Sequence, residues 1–149
     1  MSHYTTMKVN FKESNEKDLI AALKEHFGED GVEIHDTPEE MKIWDGTSAL
    51  AKNHYGMAPK CHIIIRKDTL CKKLGSRVLT NDLGYIRDGN GGYECHLDPV
   101  GFPVKDQGLV SQSYTSKVAE RKLKAQGYTL KRERTKDGKI RLTATRYAK

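Results

Sequence analysis

The side chains in this sequence best placed to do chemistry are cations near its C-terminal end. Residues 100–149 hold thirteen Lys or Arg against four Asp or Glu, a net +9. Ammonium and guanidinium groups at that density neutralise phosphates, which gives a salt-dependent affinity with little sequence preference. Lys117, Arg121 and Lys124 recur on adjoining turns of one apolar-periodic stretch, with Lys122 beside them. Arg132, Arg134, Lys136, Lys139, Arg141 and Arg146 follow in "KRERTKDGKIRLTATR", and Tyr128 and Tyr147 supply flat rings that stack on bases. Two blander readings compete with a nucleic-acid grip. The charges are a solvated helix face and an edge hairpin protected from aggregation, or they meet an acidic patch on a protein partner. Edge protection accounts for two or three lysines but poorly for thirteen cations against four acids.

Other chemistries have less support. Cys61-His62, Cys71, Cys95-His96 and His54 lack the paired ligands two to four residues apart that structural zinc takes. On a strand, Cys61 and His62 point to opposite faces, as do Cys95 and His96. No metal is therefore expected, and the cysteines read as small buried hydrophobes. Asp45, Asp88, Glu94, Asp98 and His96 form no nucleophile, acid–base or phosphate-cradle pattern. "DGNGG" lacks the Lys-Ser/Thr and following helix of a phosphate loop. The expectation is a non-enzymatic protein without a cofactor. Trp44 reads as core or core edge.

The elements that must position these cations follow from periodicity. "HYTTMKVNF" alternates, with Thr5, Met7, Val9 and Phe11 opposite Tyr4, Thr6, Lys8 and Asn10, as in a half-buried strand. "SNEKDLIAALKEHFGEDG" predicts a helix over 16–27, capped by Ser14 or Asn15 and stopped by Gly28. Its stripe is Leu19, Ile20, Leu23 and Phe27. "VEIHDTPEEMKIWDG" reads as two short strands parted at Thr37-Pro38, and residues 47–59 as a loop or short helical excursion. "CHIIIRK" has the β-branched run of a central strand. "LGYIRDGNGGYECHLD" is a hairpin around Asp88–Gly92. A second helix over 109–126 carries Val110, Tyr114, Val118, Ala119 and Leu123 and closes at Gly127. In the last hairpin Leu130, Arg132 and Arg134 share a face of one arm; Ile140, Leu142, Ala144 and Arg146 share a face of the other.

This order of strand, helix, strands, helix and hairpin predicts an α+β fold. The expectation is a single domain over residues 1–149, with a mostly antiparallel sheet of about six strands, two main helices on one face, and a basic C-terminal hairpin. A chain of 149 residues supports one core. No apolar run is long enough to span a bilayer, and the odd cysteine count argues against a disulfide framework, so a reducing cytoplasm is expected.

The opening "MSHYTTMKVNFKESNEKDLIAALKEHFG", the arm "LGYIRDGNGGYECHLD", and "QSYTSKVAERKLKAQGYTL" followed by "KDGKIRL" together resemble a family of uncharacterised proteins. That family was first named as a hypothetical chloroplast reading frame, number thirty-five, and has relatives in cyanobacteria, other bacteria and phages. The resemblance spans most of the chain and departs most at residues 46–60. It implies a small intact domain, phage-encoded or cytoplasmic, and brings no functional residues with it because the family has no settled activity.

Residues 1–59 carry a net −5, so the basic end faces an acidic front that includes Glu29, Asp30, Glu33, Asp36, Glu39 and Glu40. The leading expectation is a polyanion binder with nucleic acid as ligand. The alternative is a small adaptor or inhibitor that docks on a protein machine. Charge asymmetry alone supports a monomer or a weak homodimer. Tyr4, Tyr85, Ile63 and Ile65 are the apolar residues expected on the open face if a tighter dimer forms.

Overall fold

The computed structural model describes residues 5–42, 60–75, 81–99 and 101–146. Strand β1 (Thr5–Lys12) leads through a single 3₁₀ turn into helix α1 (Glu16–Phe27). Strands β2 (Glu33–Glu40) and β3 (Lys60–Ile65) precede helix α2 (Lys67–Leu74). The hairpin of β4 (Leu83–Arg87) and β5 (Gly92–Leu97) then leads to the long helix α3 (Val104–Ala125) and a final hairpin, β6 (Thr129–Arg134) and β7 (Ile140–Thr145). The first five strands form one antiparallel sheet in the order β1-β5-β4-β3-β2, and β6-β7 stands apart as a two-stranded sheet. The fold is α+β, as the pattern of elements predicts; where one sheet of about six strands and two main helices were expected, the described residues form seven strands divided five and two and a third, short helix α2.

One core fills the space between the sheet and α1 with α3. Leu19, Leu23 and Phe27 of α1 are buried there with Val110 and Tyr114 of α3, against Ile63, Ile65, Leu83, Tyr85, Tyr93, Cys95 and Leu97 of the sheet. Each of those large apolar side chains contributes roughly 1.5–3 kcal/mol on burial. Ile63, Ile65 and Tyr85 therefore lie under the helices and not on the open face where a dimer contact was expected, because paired rows alternate and theirs is the helix-side row. Ile63 pairs with Tyr85, and Tyr85 with Cys95. Tyr4 and Trp44 lie outside the described residues.

The opposite face carries a smaller buried cluster of Met41, Cys61 and Ile64, with Ile86 against it. Cys61 and Ile63 are two apart yet belong to different clusters, so the alternation of β3 is broken between them. The β2–β3 ladder loses its register in the same stretch. Gly84 sits under this cluster: a Cβ there would lie 2.5 Å from Cys61 Sγ and 2.6 Å from Met41 Sδ.

Ionic clamps tie the elements. Arg66 grips Glu33 with Nε at 2.7 Å and Nη2 at 2.9 Å, and donates from Nη1 to Asp82 at 2.9 Å. Asp82, with its side chain 1% exposed, also accepts from the backbone N–H of Lys42 and of Lys67, both at 2.8 Å. Arg87 holds Glu16 through Nε and Nη2 at 3.0 and 2.9 Å, and Tyr93 donates its hydroxyl to the same carboxylate. Asn15 takes the N-cap position of α1, but its side chain makes no cap bond. Its amide donates to the Tyr114 hydroxyl at 3.2 Å and its carbonyl accepts from Arg121 at 2.7 Å, so it ties α1 to α3 instead.

Candidate nucleic-acid interface

Helix α3 ends at Ala125, and Gly127, at φ +90°, turns the chain back into β6. Hairpin register then sets where every cation points. Leu130 pairs with Ala144, Arg132 with Leu142 and Arg134 with Ile140, so these six share one face. Leu130, Ile140 and Leu142 on it are half-buried, and Arg132 reaches Glu25 of α1, so this face packs on the helices. Lys131, Glu133, Arg141, Thr143 and Thr145 take the outward rows. The tip is closed by Thr135 N–H donating to Lys139 O at 2.8 Å, with Gly138 at φ +82°.

This orientation separates the cations named from the sequence. Lys117 lies 3.5 Å and Arg132 3.3 Å from the carboxylate of Glu25, which also accepts from the Ser113 hydroxyl. Partial burial of Glu25 pushes its carboxyl up, but Ser113, Lys117 and Arg132 outweigh that and hold it below the usual value. Arg121 is engaged with Asp18 and Asn15. These three cations staple the helices and hairpin together, and each already has a carboxylate partner. Arg134 sits on the inner row of the hairpin but is exposed near its tip, with one long 3.4 Å contact to Gly138 O.

The others form two exposed groups. At the base of the hairpin, Arg146 places its guanidinium carbon 5.8 Å from the ring centroid of Tyr128, and Lys124 is exposed on the last turn of α3 beside Lys122. At the tip, Lys136 and Lys139 are exposed; Lys139 has Asp137 at 3.8 Å. Arg141 lies between the groups, across the ladder from Glu133. Lys122, Lys124, Lys136 and Arg141 have no carboxylate within ion-pair distance among the described residues. Tyr147 lies outside the described residues, so the stacking role given to it from the sequence has no counterpart to describe.

Among the described residues no cluster of His, Cys, Asp and Glu is gathered to hold a metal ion. Cys61 and Cys95 are buried free thiols; burial pushes the Cys61 thiol up to about 12 and Cys95 in the same direction, which keeps both protonated and unreactive. His54 and Asp45 lie outside the described residues. No helix among the described residues is long and apolar enough to cross a membrane.

Comparison with protein-family models, with curated proteins and with solved structures finds no match to this chain.

Proposed function

We propose that this protein binds nucleic acid without catalysing a reaction on it, holding phosphates on the cations at the base, outer face and tip of the β6–β7 hairpin. One observation carries the reading. After the internal ion pairs are taken out, Lys122, Lys124, Lys136 and Arg141 are still exposed without a carboxylate partner among the described residues, with Arg146 stacked on Tyr128 beside them. Partner-free surface cations gain from counterion release when they meet phosphates, whereas ion-paired ones do not. Tyr128 adds a ring suited to stacking. The likeness to the chloroplast reading-frame family, and a cytoplasmic setting, belong to the same proposal. The thiols of Cys61, Cys71 and Cys95, none of them in a disulfide, suit a reducing compartment. A monomer or weak homodimer fits the placement of Ile63, Ile65 and Tyr85 inside the core.

A titration of labelled single-stranded and duplex DNA and RNA by fluorescence anisotropy, at low and moderate salt, tests the reading. Binding that weakens steeply with salt supports it; no binding at low salt refutes it.

A second reading has its own observation. Strand β2 is an edge of the five-stranded sheet, with Asp36, Glu39 and Glu40 exposed along it and Ile34 47% exposed. An acidic edge of this kind suits strand addition by a basic segment of a protein partner. A pull-down that survives nuclease treatment and is lost on reversing the charges of Glu39 and Glu40 favours the adaptor over the nucleic-acid binder.

A further inference from the structure

A cavity of about 150 Å³ lies where α1, α3 and the hairpin meet. Ala22, Leu109 and Ile140 form its apolar walls, and His26, Gln112 and Arg134 its polar ones. Glu25 and Ser113 also border it, but they are bonded to each other, and Lys117 and Arg132 further balance the carboxylate. His26 is engaged through Nε2 with Asp106 at 3.2 Å. Two groups on the wall remain under-used. The Gln112 amide has no hydrogen-bond partner among the described residues, and the Arg134 guanidinium has only its 3.4 Å contact to Gly138 O.

Size and chemistry together restrict the occupant. A cavity of this volume holds about one six-membered ring, well below the few hundred Å³ of a typical drug-sized site. The apolar walls of Ala22, Leu109 and Ile140 disfavour a desolvated charge, so the group that enters is neutral. An amide offers one donor side by side with one acceptor, which matches the hydrogen-bonding edge of a pyrimidine; a guanidinium plane offers a stacking surface. Arg134 and Ile140 form the last rung of the hairpin before its tip, so the exposed Lys136 and Lys139 stand close by in the chain, outside the cavity. Neutral ring inside and cations outside is the charge pattern of a nucleotide with its base inserted and its phosphates on the rim.

We infer that this cavity takes one unstacked pyrimidine base of a single-stranded nucleic acid, read by Gln112 and stacked on Arg134, with flanking phosphates on Lys136 and Lys139. The inference rests on the nucleic-acid reading above and gives it a preference, for single strands over duplex and pyrimidine over purine. A duplex keeps its bases stacked and paired, and extruding one costs a few kcal/mol. A purine, with its longer bicyclic frame, is the poorer fit to a space the size of one six-membered ring.

The test is fluorescence anisotropy with labelled oligothymidylate of about ten nucleotides, a same-length strand of abasic sites, and oligodeoxyadenylate. Oligothymidylate is expected to bind about tenfold more tightly than the abasic strand, the usual worth of one stacked base, and more tightly than oligodeoxyadenylate. Gln112→Ala, which breaks no bond among the described residues, and Leu109→Phe, which fills the space, should each reduce that difference to what stacking on Tyr128 alone supplies and leave the salt dependence unchanged. Equal binding of thymidylate and abasic strands, or a preference that neither substitution diminishes, overturns the base pocket and leaves the phosphate-binding surface standing. Absence of binding by every strand at low salt overturns both.

Discussion

Arg121 on α3 donates to a single carboxylate oxygen of Asp18 on α1, through Nε at 3.0 Å and Nη2 at 2.9 Å, and Nη2 also reaches Asn15 Oδ1 at 2.7 Å. The Asp18 side chain is only 9% exposed. A cation that looks free in the sequence is therefore a helix-to-helix tie. Arg121→Ala is expected to destabilise the fold by about 2 kcal/mol, the scale of hydrogen bonds to a charged group. It should leave the salt dependence of nucleic-acid binding unchanged. Arg121→Lys should restore only part of the stability, because an ammonium cannot reproduce the fork. Urea unfolding and a salt titration on the same preparations check both halves.

Asp82 is the buried partner of a second arginine. Arg66→Ala would leave its carboxylate with backbone donors alone in a site 1% exposed, and would release Glu33 on β2. The expected cost is about 3 kcal/mol, at the low end for a broken buried pair because Arg66 itself is partly exposed. Hydrogen exchange should show β2 and the start of α2 opening first. Uniform loss of protection across the sheet would contradict this placement of the clamp.

Gly84→Ala should cost about 1–3 kcal/mol through overpacking, since the new methyl meets Cys61 Sγ and Met41 Sδ at 2.5 and 2.6 Å. Adding Cys61→Ala removes one of the two obstructing sulfurs. The double variant is expected to be more stable than the sum of the single effects predicts. Strict additivity in urea melts would show that the new methyl does not press on Cys61.

The acid dependence of stability should have two stages. Burial holds His96 below the ordinary histidine value of 6.5, and burial followed by the nearby Arg87 does the same for His62. As pH falls through 6.5 the unfolded chain takes up these protons before the folded one, so stability declines from there downward. Glu16 is held below 4.5 chiefly by Arg87, and Glu33 chiefly by Arg66. Their contribution is complete above 4.5 and is lost as pH falls through the lowered folded values. Glu16→Gln should lower stability at pH 7 and flatten the second stage; His96→Gln should shrink the first. Urea melts from pH 8 to 3 check this, and a stability that is flat between pH 7 and 5 contradicts the histidine stage.

Regular periodicity made much of this fold legible. Leu19, Leu23 and Phe27 mark α1 within the bounds found, and Asp88–Gly92 marks the β4–β5 turn, whose Asp88 carboxylate accepts from the N–H of Asn90 and Gly92. The failures have physical causes. Pro38 splits the sequence pattern of β2, but β2 is an edge strand with broken register, where a missing N–H is tolerated. Gly108 weakens the helical signal ahead of Leu109, so α3 reads as starting there; it begins at Val104, directly after Pro103. Helix α2 is only eight residues long, with Leu70 its one buried residue, too little for a period to show. The alternation within each hairpin arm is legible in the sequence, but the pairing of the two arms is what decides which face packs inward. Arg132 and Arg134 share a face with Leu130, Ile140 and Leu142, so that face had to pack inward and take both arginines with it. Nothing in the sequence signals Gln112 or the cavity it borders, which exists only once α1, α3 and the hairpin are assembled.

The division of the cations into structural and free sets is the centre of the account, and the salt slope of binding measures it most directly. Affinity for a single-stranded oligonucleotide would be followed from low to moderate salt in two variants. One carries Lys124→Ala, Lys136→Ala, Arg141→Ala and Arg146→Ala; the other carries Lys117→Ala and Arg132→Ala. Each lost phosphate contact removes about 0.7 from the slope of log affinity against log salt on single strands, so the first variant should flatten by about 2–3. The second should keep the wild-type slope even though it is less stable. A slope unchanged in the first variant, or flattened only in the second, would contradict the assignment of the free surface.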